Sequence, residues 1–267
     1  MSGVLVPERG AYHRLMSVAA DVRWVGHSTV LISLDGVRLL TDPLLRLFVA
    51  HLRRRAGVHP DALRSVDAVL LSHAHHDHLD IGSLYRIGRK TPVVVPRGIG
   101  RILARRGFRE VTELDVGGKL SIGSVEVEAT FAAHDGARPP YPARAPALGY
   151  VVRGSRRVYF PGDTALFPQM DGLVAGLDLA LIPIWGWGPT LGRGAHMDPE
   201  QGAEALALLR PRLAVPIHWG TYAPAHLGLR AAPAFLADPQ AAFVEAAARR
   251  APAVEVRVLA PGEALAL

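Results

Sequence analysis

The chain has 267 residues, 49 % of them apolar and 20 % charged, with a formal net charge of +6 and no cysteine. That balance excludes a mainly disordered chain and leaves enough length to bury a substantial core. The absence of thiols excludes disulfides, thiolate metal ligands and a cysteine nucleophile.

Met1–Arg9 is short and interrupted by charge, so it does not form a signal peptide. No apolar run approaches the ~20 residues that span a bilayer. The expectation is a soluble, cytoplasmic protein. Lys90 and Lys119 are the only lysines, so arginine carries the basic excess. Arg53, Arg54 and Arg55 form a basic run that suits an anionic substrate or a membrane surface, or simply a solvated face. No aromatic platform or recognition helix accompanies it, so a nucleic-acid partner is not expected.

In chain order, Val22–Val25 and Thr29–Leu34 read as strands, and Asp35-Gly36 before Val37–Leu40 is a hairpin signal. Leu44–Arg55 reads as an irregular apolar and basic helix or flap. Val66–Leu71 is a near-continuous apolar run, the pattern of a strand covered on both faces. Leu79–Ile87 reads as a short helix, Pro92–Val95 as a strand, and Ile99–Arg106 as a helix ended by Gly107. Leu120–Ala132 reads as a hairpin turning at Gly123-Ser124, followed by strands over Leu148–Val152, Arg157–Phe160 and Leu179–Ile184. Asp198-Pro199-Glu200-Gln201 carries the signature of a capped helix start, and Pro211 stops that helix. Leu213–Ile217 is a further strand. An alanine-rich helical region then runs through Arg250, and Val254–Leu259 is the last strand. The glycines form neither a dinucleotide fingerprint nor a P-loop.

The densest chemistry is Ser72-His73-Ala74-His75-His76-Asp77-His78-Leu79-Asp80, which places four histidines and two carboxylates within nine residues behind a buried strand. Imidazole nitrogen and carboxylate oxygen are ligands of borderline metals. His134, Asp163 and His218 each follow another apolar run, which points to one metal centre assembled from several strand ends.

The pattern His-x-His-x-Asp-His at 73–78 resembles the metallo-β-lactamase superfamily. The resemblance covers about residues 20–225. It includes Trp24-Val25-Gly26-His27-Ser28-Thr29, Leu40-Thr41-Asp42-Pro43, Pro161-Gly162-Asp163-Thr164, His196-Met197-Asp198-Pro199-Glu200 and His218-Trp219-Gly220-Thr221. These motifs are most similar to bacterial relatives of N-acyl-phosphatidylethanolamine phospholipase D, with ascorbate-phosphate lactonase-like proteins nearby. The resemblance implies an α/β fold, a four-layer αββα sandwich of two mixed sheets flanked by helices, with residues 1–267 as one domain. It implies that His73, His75 and His134 hold one metal, that Asp77, His78 and His218 hold a second, and that Asp163 bridges them. Two divalent ions are expected, zinc first, with manganese or iron as alternatives.

Catalytic roles fall to Asp77 within that centre and to His196, whose place at a loop end suits donation to a scissile-group oxygen; helix capping is its alternative. His76 is expected to pack or support the site, Asp80 to hold a ligand's second ring nitrogen, His27 to be a supporting or core-polar residue, and Asp42 to anchor the rim loop. Trp185, Trp187 and Tyr141 are candidate substrate walls. The expected function is metal-dependent hydrolysis by a metal-bridging hydroxide, leaning to a phosphodiester. Lactone, amide or other carboxylic-ester hydrolysis, a nuclease and a non-catalytic metal scaffold are the alternatives. The expected partner is a small-molecule or lipid-like substrate, with transient membrane contact and a homo-oligomer left open.

Overall fold

The computed structural model describes residues 20–49, 51–58, 63–136, 145–185, 194–227 and 238–267. Strands β1 (Asp21–Gly26), β2 (Thr29–Leu34) and β3 (Val37–Thr41) form a meander whose second turn has positive φ at Asp35 (52°) and Gly36 (84°), as a tight two-residue hairpin needs. A short hairpin of β4 (Phe48–Val49) and β5 (Leu52–Arg54) follows. Next come β6 (Ala68–Leu70), α1 (Ile81–Ile87), β7 (Val93–Pro96), α2 (Gly100–Ala104) and β8 (Val111–Leu114). The chain continues through β9 (Lys119–Ile122), β10 (Val125–Phe131), β11 (Leu148–Arg153), β12 (Arg157–Phe160) and β13 (Leu179–Pro183). It ends with α3 (Pro199–Leu209), β14 (Leu213–Ile217), β15 (Tyr222–Pro224), α4 (Pro239–Arg250), β16 (Glu255–Val256) and β17 (Ala264–Ala266).

Two seven-stranded mixed sheets result, ordered β17-β1-β2-β3-β6-β7-β8 and β16-β14-β13-β12-β11-β10-β9. Side-chain alternation explains the layering. Val22, Trp24, Val30, Ile32, Leu70 and Val94 of the first sheet meet Val127, Leu148, Tyr150, Phe160, Leu181 and Val215 of the second. The opposite faces take the helices. Val69, Val93 and Val95 pack against Leu84 of α1 and Leu103 of α2, while Tyr159, Ala180, Ile182 and Ala214 pack against Leu206 of α3 and Phe243 of α4. This is the expected four-layer αββα sandwich, and it is why β6, β13 and β14, buried on both faces, read as unbroken apolar runs.

Strand direction gathers the chemistry. β1, β3 and β6 point the same way in the first sheet, as do β10, β12, β13 and β14 in the second. Their C-terminal ends open onto the loops that carry His27, Asp42, the 73–78 run, His134, Asp163 and His218.

Several local expectations change. Of the two alternatives for Leu44–Arg55, helix or flap, the helix does not form: the segment contains the β4–β5 hairpin, which pairs with β15 in a small third sheet. That hairpin is rooted by Arg54, which is 5 % exposed and donates to the carbonyls of Val25, Leu44 and Ala56. The helical reading through Arg250 is met by α4 over Pro239–Arg250, with residues 228–237 outside the described residues, whereas Val254–Leu259 holds only a two-residue strand. β8 lacks an apolar run because it is a half-exposed sheet-edge strand.

Candidate metal centre

The run after β6 is folded by its own polar contacts. Asp42, at the end of β3 with φ 30°, accepts from Ser72 N (2.7 Å), Ser72 Oγ (2.5 Å) and His78 Nδ1 (2.7 Å). Asp80 caps α1 by accepting from Ser83 N and Ser83 Oγ and pairs with Arg46. The support expected of Asp80, holding a ligand's second ring nitrogen, therefore belongs to Asp42. Asp80 is committed to the helix start because its side chain is three residues from the orphan N–H groups it caps. Gly162, with φ 63°, lets the Asp163 loop close on this run; a Cβ there would stand 2.5 Å from Ser72 Cβ.

The geometry brings all seven ligand candidates together. His73 Nε2 and His134 Nε2 lie 3.0 and 3.2 Å from His75 Nδ1. Asp77, His78 and His218 form a second group, joined by His27. Between them, Asp163 Oδ2 lies 3.1 Å from His78 Nε2 and 3.1 Å from His196 Nε2, and its Oδ1 lies 3.2 Å from His218 Nε2. Asp163 also groups with His134 and His196.

The hydrogen bonds behind the rings set their tautomers. His134 Nδ1 donates to Ala195 O (2.8 Å) and His218 Nδ1 to Trp185 O (2.7 Å), because a carbonyl can only accept. Ser72 Oγ gives its proton to Asp42, so it accepts from His73 Nδ1 at 2.9 Å. In the neutral rings this leaves Nε2 lone pairs facing inward. His73, His75 and His134 then share at most one inward proton among three converging nitrogens, an arrangement that fits a cation. Among the described residues, His78 Nε2 and Asp163 Oδ1 are buried and have no well-aligned hydrogen bond, although each faces an opposite group at 3.1–3.2 Å. The donor set thus matches divalent metal chemistry.

Electrostatics agree. Burial, then the neighbouring His78, pushes His73 well below the ordinary histidine value, and burial lowers His75 and His134 as well. Burial would lower His78 too, but Asp163, Asp77 and Asp42 hold it well above. Burial would raise Asp163 and Asp77. Instead His218 and His78 hold Asp163, and His78 and His27 hold Asp77, well below the carboxylate range.

His196 lies against this centre, its side chain 15 % exposed and its ring 4.8 Å from that of His134. The helix is capped by Asp198, which accepts from Gln201 N, so His196 is not its cap. His76 is exposed and lines a surface groove of about 540 Å³ with Arg46, Tyr85 and Arg106. His27, left outside the expected ligand set, sits inside the second group, its Nε2 3.2 Å from Asp77 Oδ2. The sequence places it in the Trp24–Thr29 motif between two strands, a position that a core histidine shares. Trp185 is half-buried at the site through its carbonyl; Trp187 and Tyr141 lie outside the described residues. Among the described residues, no helix is long and apolar enough to cross a membrane.

A family model described as a beta-lactamase superfamily domain matches residues 37–219. A UPF0173 metal-dependent hydrolase of Deinococcus radiodurans is 35 % identical over 250 residues, which cover 91 % of this chain and 97 % of that protein. The N-acyl-phosphatidylethanolamine-hydrolyzing phospholipase D 1 of Caenorhabditis elegans is 31 % identical over 225 residues, covering 74 % of this chain and 63 % of its own length. Among solved structures, Igni18, a metallo hydrolase from the archaeon Ignicoccus hospitalis, superposes with a TM-score of 0.69 at 27 % identity, covering 93 % of this chain and 98 % of the other.

Proposed function

Because the chain belongs to the metallo-β-lactamase superfamily of metal-dependent hydrolases, we propose that it uses two divalent cations, zinc first among them, to hydrolyse a phosphodiester. His73, His75 and His134 would hold one cation and Asp77, His78 and His218 the other, with Asp163 shared between them. The observation that carries the dinuclear reading is Asp163 itself, a buried carboxylate whose two oxygens face nitrogen donors on different loops at 3.1–3.2 Å.

When bound, such a pair supplies Lewis acidity toward the scissile oxygen and lowers the pKa of water. The chain's own residues do the rest. Asp42 and the carbonyls of Ala195 and Trp185 fix the rings of His78, His134 and His218, so these three need not turn during the reaction. His196 holds Asp163 Oδ2 from the more open side and is the group placed to pass a proton to a departing oxygen.

Two features favour the phosphodiester. One is the likeness to the phospholipase D of C. elegans, which brings that bond class here as a proposal. The other is the segment Arg46–Arg54, where exposed Leu47 and Phe48 (54 % and 48 %) stand beside Arg46 and Arg53, a rim suited to an anion carrying an apolar substituent. The metal-replete protein assayed on phosphodiester, lactone, thioester and β-lactam substrates in one panel should favour the phosphodiester. A lactone preference that is altered by substitutions at Trp185 or His196 would overturn the substrate class.

A further inference from the structure

His27 is held more firmly than a core histidine needs. β1 ends at Gly26, where φ is 128° and a Cβ would stand 2.8 Å from both Arg54 and Thr221, so the chain turns there in contact with the β4–β5 hairpin and the loop after β14. His27 itself has φ 54°, a left-handed conformation that brings the Cβ of a non-glycine residue too close to the following carbonyl oxygen. Both of its backbone groups are tied down. Its N–H donates to Thr221 Oγ1 (2.7 Å), and its carbonyl accepts from Trp24 Nε1 (2.8 Å) and from the N–H of His218 (3.0 Å). Among the described residues, six non-glycine positions have positive φ, and three of them, His27, Asp42 and His218, lie at this centre. Strain concentrated in one place is a mark of function.

What this anchoring delivers is the ring. It is 2 % exposed, 4.0 Å from the ring of His218 centroid to centroid, with Nε2 at hydrogen-bond distance, 3.2 Å, from Asp77 Oδ2. That oxygen also faces the second group, 3.7 Å from His78 Nε2 and 4.0 Å from His218 Nε2. A carboxylate oxygen has two lone-pair directions, so it can accept from a ring N–H on one and face a cation with the other.

We propose that His27 is a positioning residue of the metal centre: it donates from Nε2 to Asp77 Oδ2 and fixes that oxygen in the donor set completed by His78 and His218. Because His218 N is bonded to the His27 carbonyl, one residue sets the placement of two members of the second group. The proposal rests on the two-cation reading. Its rival is that His27 is itself a ligand of the second ion.

The test is a cobalt(II) titration of metal-free wild type, His27→Phe and His27→Gln, read by visible absorption, with zinc affinity from competition against a chromophoric chelator. Wild-type stoichiometry in that titration tests the two-cation reading separately. The Phe variant keeps a ring without a donor and should bind its weaker ion on the order of 10–100-fold less tightly. The Gln variant keeps an N–H donor and should recover most of that loss, with an unchanged cobalt spectrum. Wild-type affinity in the Phe variant would overturn the proposal. So would loss of one ion, or of a nitrogen-ligand signature, in the Gln variant, since an imidazole ligand cannot be replaced by an amide donor. Should the Phe variant fail to fold, the Gln variant alone separates the two roles.

Discussion

Asp42 Oδ2 accepts from His78 Nδ1 at 2.7 Å, and both side chains are fully excluded from solvent. The same carboxylate takes both donors of Ser72, which in turn orients His73. One residue at the end of β3 therefore holds a ring of each donor group, and its own contact with a cation is unnecessary for its effect.

Asp42→Ala should weaken metal binding on the order of 10–100-fold, because His78 and Ser72 lose the acceptor that fixes them. It should also lower the stability of the metal-free protein by about 3–5 kcal/mol, the usual cost of breaking a buried charged pair. Chelator competition and denaturant unfolding check the two effects separately. Unchanged affinity would place Asp42 in the rim loop alone.

Metal loading should release protons. In the metal-free protein, burial opposes the charge of His78 but Asp163, Asp77 and Asp42 prevail, holding its pKa well above 6.5, so its ring carries the extra proton at neutral pH. A cation bound at Nε2 must displace it. Affinity should therefore rise with pH up to that raised pKa and level off beyond it. The same proton stabilises the metal-free fold fully below about pH 6.5, and this contribution is lost as pH rises through the folded-state pKa. His27 acts in the opposite sense: burial lowers its pKa to about 3, so its share of stability is lost as pH falls from about 6.5 toward 3. Calorimetric titration in buffers of different ionisation enthalpy measures the release. Zero net release at pH 7 would contradict the charge state given to His78.

Asp163→Asn should impair both donor groups at once, since the amide keeps the shape but loses the charge that faces His78, His218 and His196. Metal content by elemental analysis should fall below that of the wild type and hydrolysis should fall at least tenfold, on the scale of a lost metal-orienting group. The exposed Asp171, paired with Arg210, is the control carboxylate. Full occupancy and rate in the Asn variant would reject the shared role of Asp163.

Much of this was legible in the sequence because burial writes itself as pattern. β6, β13 and β14 are covered on both faces and read as apolar runs, and the Asp198–Gln201 capping box is written in four residues. The β4–β5 hairpin was not legible, since its partner β15 lies far along the chain and its anchor, Arg54, looks like one of three equivalent arginines. The exchange of roles between Asp42 and Asp80 has the same cause. Both carboxylates sit beside the motif, and only the fold reveals that Asp42 reaches His78 while Asp80 is taken by Ser83. His27 was legible as a histidine in a motif but not as a strained residue aimed at Asp77, because backbone conformation leaves no mark in residue type here.

His196 is the residue on which proximity and role must be separated. Its Nε2 stands 3.1 Å from Asp163 Oδ2, close enough to belong to a metal group with His134 and Asp163, yet it comes from a loop end and keeps partial solvent exposure. A group that gives up a proton during turnover needs that access, which the donors His73, His78 and His218 lack and the half-buried His75 and His134 share, so it is the loop-end origin of His196 that sets it apart. His196→Ala should therefore keep the wild-type metal content and lower kcat on the order of 10²–10⁴-fold, the usual contribution of a positioned acid. The loss should be smaller for a substrate whose leaving group departs without protonation, such as a nitrophenolate, than for one that leaves as an alkoxide. Loss of a metal ion in the variant, or an equal rate loss for both leaving groups, would show that His196 acts by holding the centre together and not by moving a proton.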